Sequence, residues 1–100
     1  MCCFGTFFVM YMENNIKEMY VSRKDVLKSR YVLCIMYDGS VTLSWYMGDM
    51  KVDEKEPTLC RRYDGSMKIE YGEKNLLGVR QTMCFSDANG KLEKEWEKIK

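Results

Sequence analysis

The tetrapeptide Tyr-Asp-Gly-Ser occurs twice, at 37–40 and 63–66, each time between runs rich in apolar residues. A looser copy, Asp87-Ala88-Asn89-Gly90-Lys91, follows near the end of the chain. Asp-Gly and Asn-Gly steps tolerate the positive φ angles that tight hairpin turns demand. A chain punctuated in this way folds as antiparallel β-hairpins, and period-two alternation then decides which side chains share a face.

The register follows from the loop length. With Asp38-Gly39 as a two-residue loop, Met36 faces Val41, Cys34 faces Leu43 and Val32 faces Trp45. These six apolar residues form an inner face. The outer face then carries Tyr31, Leu33, Ile35 and Tyr37 opposite Ser40, Thr42, Ser44 and Tyr46. In the second hairpin the same rule sets Arg62 against Met67, Cys60 against Ile69 and Thr58 against Tyr71, leaving Leu59, Arg61, Tyr63, Ser66, Lys68 and Glu70 outside. The two hairpins are expected side by side. A third strand at 79–86 is expected to turn at Asn89-Gly90, with its register open. The tail suits a helix through Leu92, Trp96 and Ile99, or a strand; the preceding hairpin signal favours the strand.

Elsewhere, residues 13–30 are the best helix candidate. Ile16, Tyr20 and Leu27 stand among lysines and arginines, and Ser22 with Asp25 resembles an N-cap pair. One helix from Asn14, or a strand followed by a short helix from Ser22, both satisfy the pattern. The apolar run 1–12 is expected as a buried first strand, and the charged segment 49–56 as a solvent loop. The resulting fold class is α+β: an antiparallel β-meander of hairpins, about six strands, with one N-terminal helix packed on the sheet, all within a single domain over 1–100.

Composition narrows the chemistry. Nearly half the residues are hydrophobic, which is too apolar for a disordered chain, and the net charge of +1 creates no global field. Histidine is absent, which removes the commonest general base and metal ligand from the chain. Five cysteines, an odd number with no CxxC pair, point to free thiols in a reducing cytoplasm. The run 1–12 lacks a basic n-region and is too short to span a bilayer, so no membrane association is expected.

No P-loop, dinucleotide or zinc-protease motif occurs. Asp38 and Asp64 are explained by their turns. Cys34 and Cys60 at equivalent inner positions, Cys84 in one of its two registers, and Cys2 or Cys3 from the N-terminal strand define a thiolate-metal alternative, although free cysteines inside strands are ordinarily small buried hydrophobes. No cofactor and no catalytic or metal-ligating residue is assigned. The expected function is a non-enzymatic protein-binding module: a small inhibitor or adaptor, of the sort phages and mobile elements encode, acting by surface occlusion. Its expected contacts are Tyr31, Leu33, Tyr37, Tyr46, Arg61 and Tyr63, since tyrosine and arginine are enriched in interface cores. The occupant of that face is a protein partner or a second copy of the chain. The rival is a single-stranded nucleic-acid binder stacking bases on Tyr37 and Tyr63 beside Arg61 and Lys68.

Overall fold

The computed structural model describes residues 15–23, 29–93 and 95–100. The expected first strand at 1–12 lies outside them. Within the described residues the chain is all-β, with eight strands in two antiparallel sheets. The strands are β1 (Ile16–Arg23), β2 (Ser29–Met36), β3 (Val41–Met47), β4 (Met50–Lys55), β5 (Thr58–Arg61), β6 (Met67–Tyr71), β7 (Gln81–Ser86) and β8 (Trp96–Lys98). The larger sheet has the order β4-β3-β2-β1-β8 and the smaller β5-β6-β7. The hairpins therefore do not lie side by side in one sheet. The first belongs to the larger sheet and the second to the smaller.

The α+β expectation is overturned at its helix, which is not seen: Ile16–Arg23 is a strand, and Ser29 already starts the next. The helix-like spacing has a local cause. The ladder between β1 and β2 is irregular between Ile16 and Glu18. That extra residue resets the alternation, so Ile16 and Met19, three apart, join one apolar cluster while Tyr20 joins the other. A bulged strand thus mimics the i, i+3, i+4 pattern of a helix. The segment expected as a solvent loop is β4, an edge strand exposed along its whole length. Its alternating lysines and carboxylates, paired as Lys51–Glu54 and Lys55–Asp53, suit an edge that must not recruit another strand. The tail is a strand, as favoured, but β8 pairs with β1 and not with β7.

The hairpin registers differ from expectation by one residue. Leu33 faces Leu43 and Tyr31 faces Trp45 in the first hairpin; Leu59 faces Ile69 and Arg61 faces Met67 in the second. Both loops hold three residues. Met36 N–H donates to Ser40 O and Gly39 N–H to Met36 O; Arg62, Ser66 and Gly65 repeat both bonds in the second loop. The glycines take φ angles of 91° and 93°. This is a type I turn closed by a left-handed glycine, which adds one residue to the loop. The serine favours it: the Asp38 carboxylate accepts from Ser40 N–H at 2.8 Å and from its hydroxyl at 2.6 Å, and Asp64 holds Ser66 in the same way.

A one-residue slip turns the side chains of β2 and β5 over relative to their partners β3 and β6. Tyr31, Leu33 and Ile35, expected outside, point into the space between the sheets with Val41 and Leu43. There they meet Leu59, Met67, Ile69, Tyr71, Met83 and Phe85 from the smaller sheet. Tyr20, Phe85 and Trp96 pack edge to face, with ring centroids 4.9 and 5.4 Å apart, and the Trp96 indole donates to Cys84 O at 3.1 Å. The other face of the larger sheet is buried too, at Ile16, Met19, Val32, Cys34 and Tyr46.

Candidate functional site

The corrected register scatters the six expected contact residues. Leu33 and Tyr46 are buried, on opposite faces of the larger sheet, and Tyr31 is half-buried between the sheets. Burial pushes the Tyr46 hydroxyl above its ordinary range. Only Tyr37, Arg61 and Tyr63 stand exposed, at or beside the hairpin tips. The cysteine alignment also dissolves. Cys34 lies in the larger sheet, whereas Cys60 and Cys84 are cross-strand neighbours of Lys68 in the smaller. Among the described residues no group of three His, Cys, Asp or Glu side chains is placed to hold a metal ion. Burial, then the Glu70 carboxylate, push the Cys60 thiol up, the reverse of what an activated nucleophile needs.

What the structure does bring together lies where β3 and β4 face the end of β6 and the start of β7. Cross-strand pairing lines up Tyr31, Trp45 and Asp53 in one row, with Leu43 and Lys55 in the next. Opposite them stand Tyr71 and Gln81, themselves a cross-strand pair. The inward positions are apolar on β2 but become Asp53 and Lys55 on β4. A carboxylate and an ammonium resist burial, so the sheets part along this edge. The result is a cleft of about 180 Å³ lined by Tyr31, Leu43, Trp45, Asp53, Lys55, Tyr71 and Gln81. Tyr31 and Trp45 lie near parallel, at 22° and 6.3 Å between centroids, and Tyr71 tilts against Tyr31 at 6.4 Å. Asp53 is ion-paired with Lys55 at 3.1 Å, and that bond, with the Glu54 backbone N–H, holds its carboxyl below the usual range. The two charges compensate, so the cleft is close to neutral.

Lys55 and Gln81 also line an adjoining, shallower groove that continues past Gly72, Glu73, Asn75, Val79 and Arg80. Arg80 fixes its wall. Its guanidinium donates to Gly72 O at 2.9 Å, Thr58 Oγ1 at 3.1 Å and Glu56 O at 3.1 Å, tying the crossover between sheets to the β6–β7 hairpin.

That hairpin ends in an apolar tip. Leu76 is 106% and Leu77 86% exposed, and Val79 beside them is also exposed. The tip is held from below: the Asn75 side-chain carbonyl accepts from the N–H groups of Leu77 and Val79, while Asn75 N–H donates to Val79 O and Gly78 N–H to Asn75 O. Sequence reasoning passed over this segment. Its signal was Asn75-Leu76-Leu77-Gly78, two large apolar residues where a turn calls for polar ones.

No helix among the described residues is long and apolar enough to cross a membrane. Comparison with family models, curated proteins and solved structures finds no match for this chain.

Proposed function

We propose that this chain is a non-enzymatic protein-binding module, a small inhibitor or adaptor that works by covering part of a larger protein. The observation that carries the reading is the Leu76-Leu77 tip. Two large apolar side chains held in full contact with water cost free energy in the isolated domain, by roughly 1.5–3 kcal/mol each relative to burial. Asn75 holds their backbone in one conformation, so little loop entropy is lost when a partner takes them up. An apolar anchor on a rigid loop next to a groove is the arrangement expected of an occluding binder. The surface expected from sequence is replaced by this end of the molecule, with Tyr37, Arg61 and Tyr63 retained only as exposed tip residues.

The test is affinity capture with the tagged full chain as bait in a lysate of the organism that encodes it, with and without nuclease. The expected result is a stoichiometric protein partner that survives nuclease and is lost with a Leu76→Ser/Leu77→Ser variant of unchanged melting temperature. Capture equal for both baits would refute the role of the tip.

A second reading, single-stranded nucleic-acid binding, is favoured by one observation. Arg61, Arg62 and fully exposed Tyr63 rim a shallow concavity together with Asp64. Arginine beside an open tyrosine ring suits base stacking along a phosphate chain. Oligonucleotide affinity that falls steeply with added salt and is lost in Tyr63→Ala would carry this reading instead.

A further inference from the structure

We infer that Asn89 is a self-modification site, where the Gly90 backbone nitrogen displaces the side-chain amide of Asn89, and that the folded 87–91 loop sets how fast this happens. The site is independent of the protein-binding reading.

Four hairpin loops share one form. In each, the residue before a three-residue loop donates its N–H to the carbonyl of the residue after it, at Met36/Ser40, Arg62/Ser66, Asn75/Val79 and Asp87/Lys91, and a left-handed glycine closes the loop. The residue before that glycine is Asp38, Asp64, Leu77 or Asn89. Only Asn89 combines a carboxamide with a following glycine. Glycine has no side chain to shield its nitrogen. A carboxamide can lose ammonia at neutral pH, whereas Asp38 and Asp64 are held as carboxylates by the groups of Ser40 and Ser66, and a carboxylate repels attack.

Hydrogen bonding separates Asn89 further. The carboxylates of Asp38 and Asp64 are themselves tied to Ser40 and Ser66. In the 87–91 loop that task belongs to Asp87, whose Oδ1 accepts from Asn89 N–H and Lys91 N–H, both at 2.9 Å. Asn89 is exposed, and among the described residues no hydrogen bond holds its carboxamide. Asn75 is the opposite case: its side-chain carbonyl accepts from Leu77 and Val79 N–H, and bulky Leu76 follows it.

The step needs only water. The Gly90 nitrogen gives up its proton and bonds to Asn89 Cγ. The Cγ–Nδ2 bond breaks, and ammonia leaves with that proton. Water then opens the five-membered imide at one of its two carbonyls, giving aspartate or isoaspartate. In the fold, Gly90 N–H is donated to Asp87 O at 3.1 Å, so the nitrogen must leave this bond before it attacks. The loop therefore acts as a brake of roughly two- to tenfold, the net worth of one hydrogen bond. Isoaspartate lengthens the backbone of a loop whose Ala88 O lies 3.0 Å from the place of a Cβ on Gly65. The contact between the 62–66 and 87–91 loops is loosened, while the Leu76-Leu77 tip, beyond the other end of β6, is untouched.

The experiment is incubation of the full chain at neutral pH, folded and in guanidinium chloride. Peptide mass spectrometry follows amide-to-acid conversion, and chromatography separates isoaspartyl from aspartyl product. Asn89 is expected to convert before Asn75, with isoaspartate among the products, and roughly two- to tenfold more slowly in the folded chain than in denaturant. Asp87→Ala, which releases the N–H groups of Asn89 and Lys91, should raise the folded rate and leave the rate in denaturant unchanged. The purified isoaspartyl form should melt below the fresh protein, whereas Asn89→Asp, the same charge change on an unaltered backbone, should melt close to it. Equal Asn89 rates in folded and unfolded chains, Asn75 converting as fast as Asn89, or aspartate as the sole product would each overturn the inference. An isoaspartyl form that melts with the fresh protein would overturn the loosening of the two loops.

Discussion

The two Tyr-Asp-Gly-Ser turns make an internal control for what a methyl group costs. Gly39 and Gly65 have nearly the same φ, 91° and 93°, and the same hydrogen bonds around them. A Cβ built at Gly39 meets nothing within 4 Å; one built at Gly65 lies 3.0 Å from the backbone oxygen of Ala88. Alanine at either position bears the cost of an L-residue in the left-handed region, about 1–2 kcal/mol. At Gly65 the methyl must also push back a neighbouring turn whose carbonyl belongs to the backbone, and such overpacking costs about 1–3 kcal/mol more. Gly39→Ala is therefore expected to lose ~1–2 kcal/mol and Gly65→Ala ~2–5 kcal/mol. In a domain of this size each kcal/mol lowers the melting temperature by about 4–8 °C. Urea unfolding followed by tryptophan fluorescence gives both free energies, and equal slopes would show that the unfolding transition is the same. Equal losses would refute the reasoning, because the 63–65 and 88–90 turns would then not be pressed together in the folded protein.

Three further outcomes are expected. Leu33→Ala should cost ~2–5 kcal/mol in chemical denaturation, because Leu33 is fully buried between the sheets, whereas Tyr63→Ala should stay within about 0.5 kcal/mol; the reverse order would mean that inside and outside are exchanged. Burial pushes the Cys34 thiol up to about 11, so at pH 8 iodoacetamide should label exposed Cys84 well before Cys34, as read by peptide mass spectrometry. Asp38 and Asp64 are held below the usual carboxylate range by the hydroxyls and N–H groups of Ser40 and Ser66. Depressed folded-state values give stability that is complete above the unfolded carboxylate pKa of about 4 and is lost as pH falls through the folded values. The Asp38→Asn/Asp64→Asn variant should flatten the fall in melting temperature below about pH 4, and an unchanged acid limb would remove these carboxylates from the account.

Much of the strand pattern was legible, and for physical reasons. The Asp-Gly and Asn-Gly turns mark hairpins, and Leu43 and Ile69 were placed on inner faces, where the structure has them. The register was not legible from the Asp-Gly step alone, because that step serves a two-residue loop and also a three-residue loop closed by a left-handed glycine. The difference rests on a hydrogen bond from the serine to the aspartate, and it turned Tyr31 and Leu33 from surface to core. β1 was misread because its bulge produces helical spacing from a strand. β4 was misread because an edge strand defended by charge has the composition of a loop. The cleft could not be read at all. It needs Trp45 and Asp53 from one sheet opposite Tyr71 and Gln81 from the other, and no periodicity within either hairpin reports how two sheets are stacked.

β8 pairs with β1, so the last described strand closes the edge of the first. On the ribosome, β1 to β4 emerge as a meander whose β1 edge lacks its β8 partner while the whole second sheet is being made. Trp96, Ile99 and Lys100 carry or flank the closing strand, and Met19 exchanges backbone hydrogen bonds with Ile99 and Lys100. The larger sheet therefore cannot be finished before the smaller one has been synthesised. Until β8 has emerged, the β1 edge lacks the strand that closes it here and is exposed to other strands or to a chaperone.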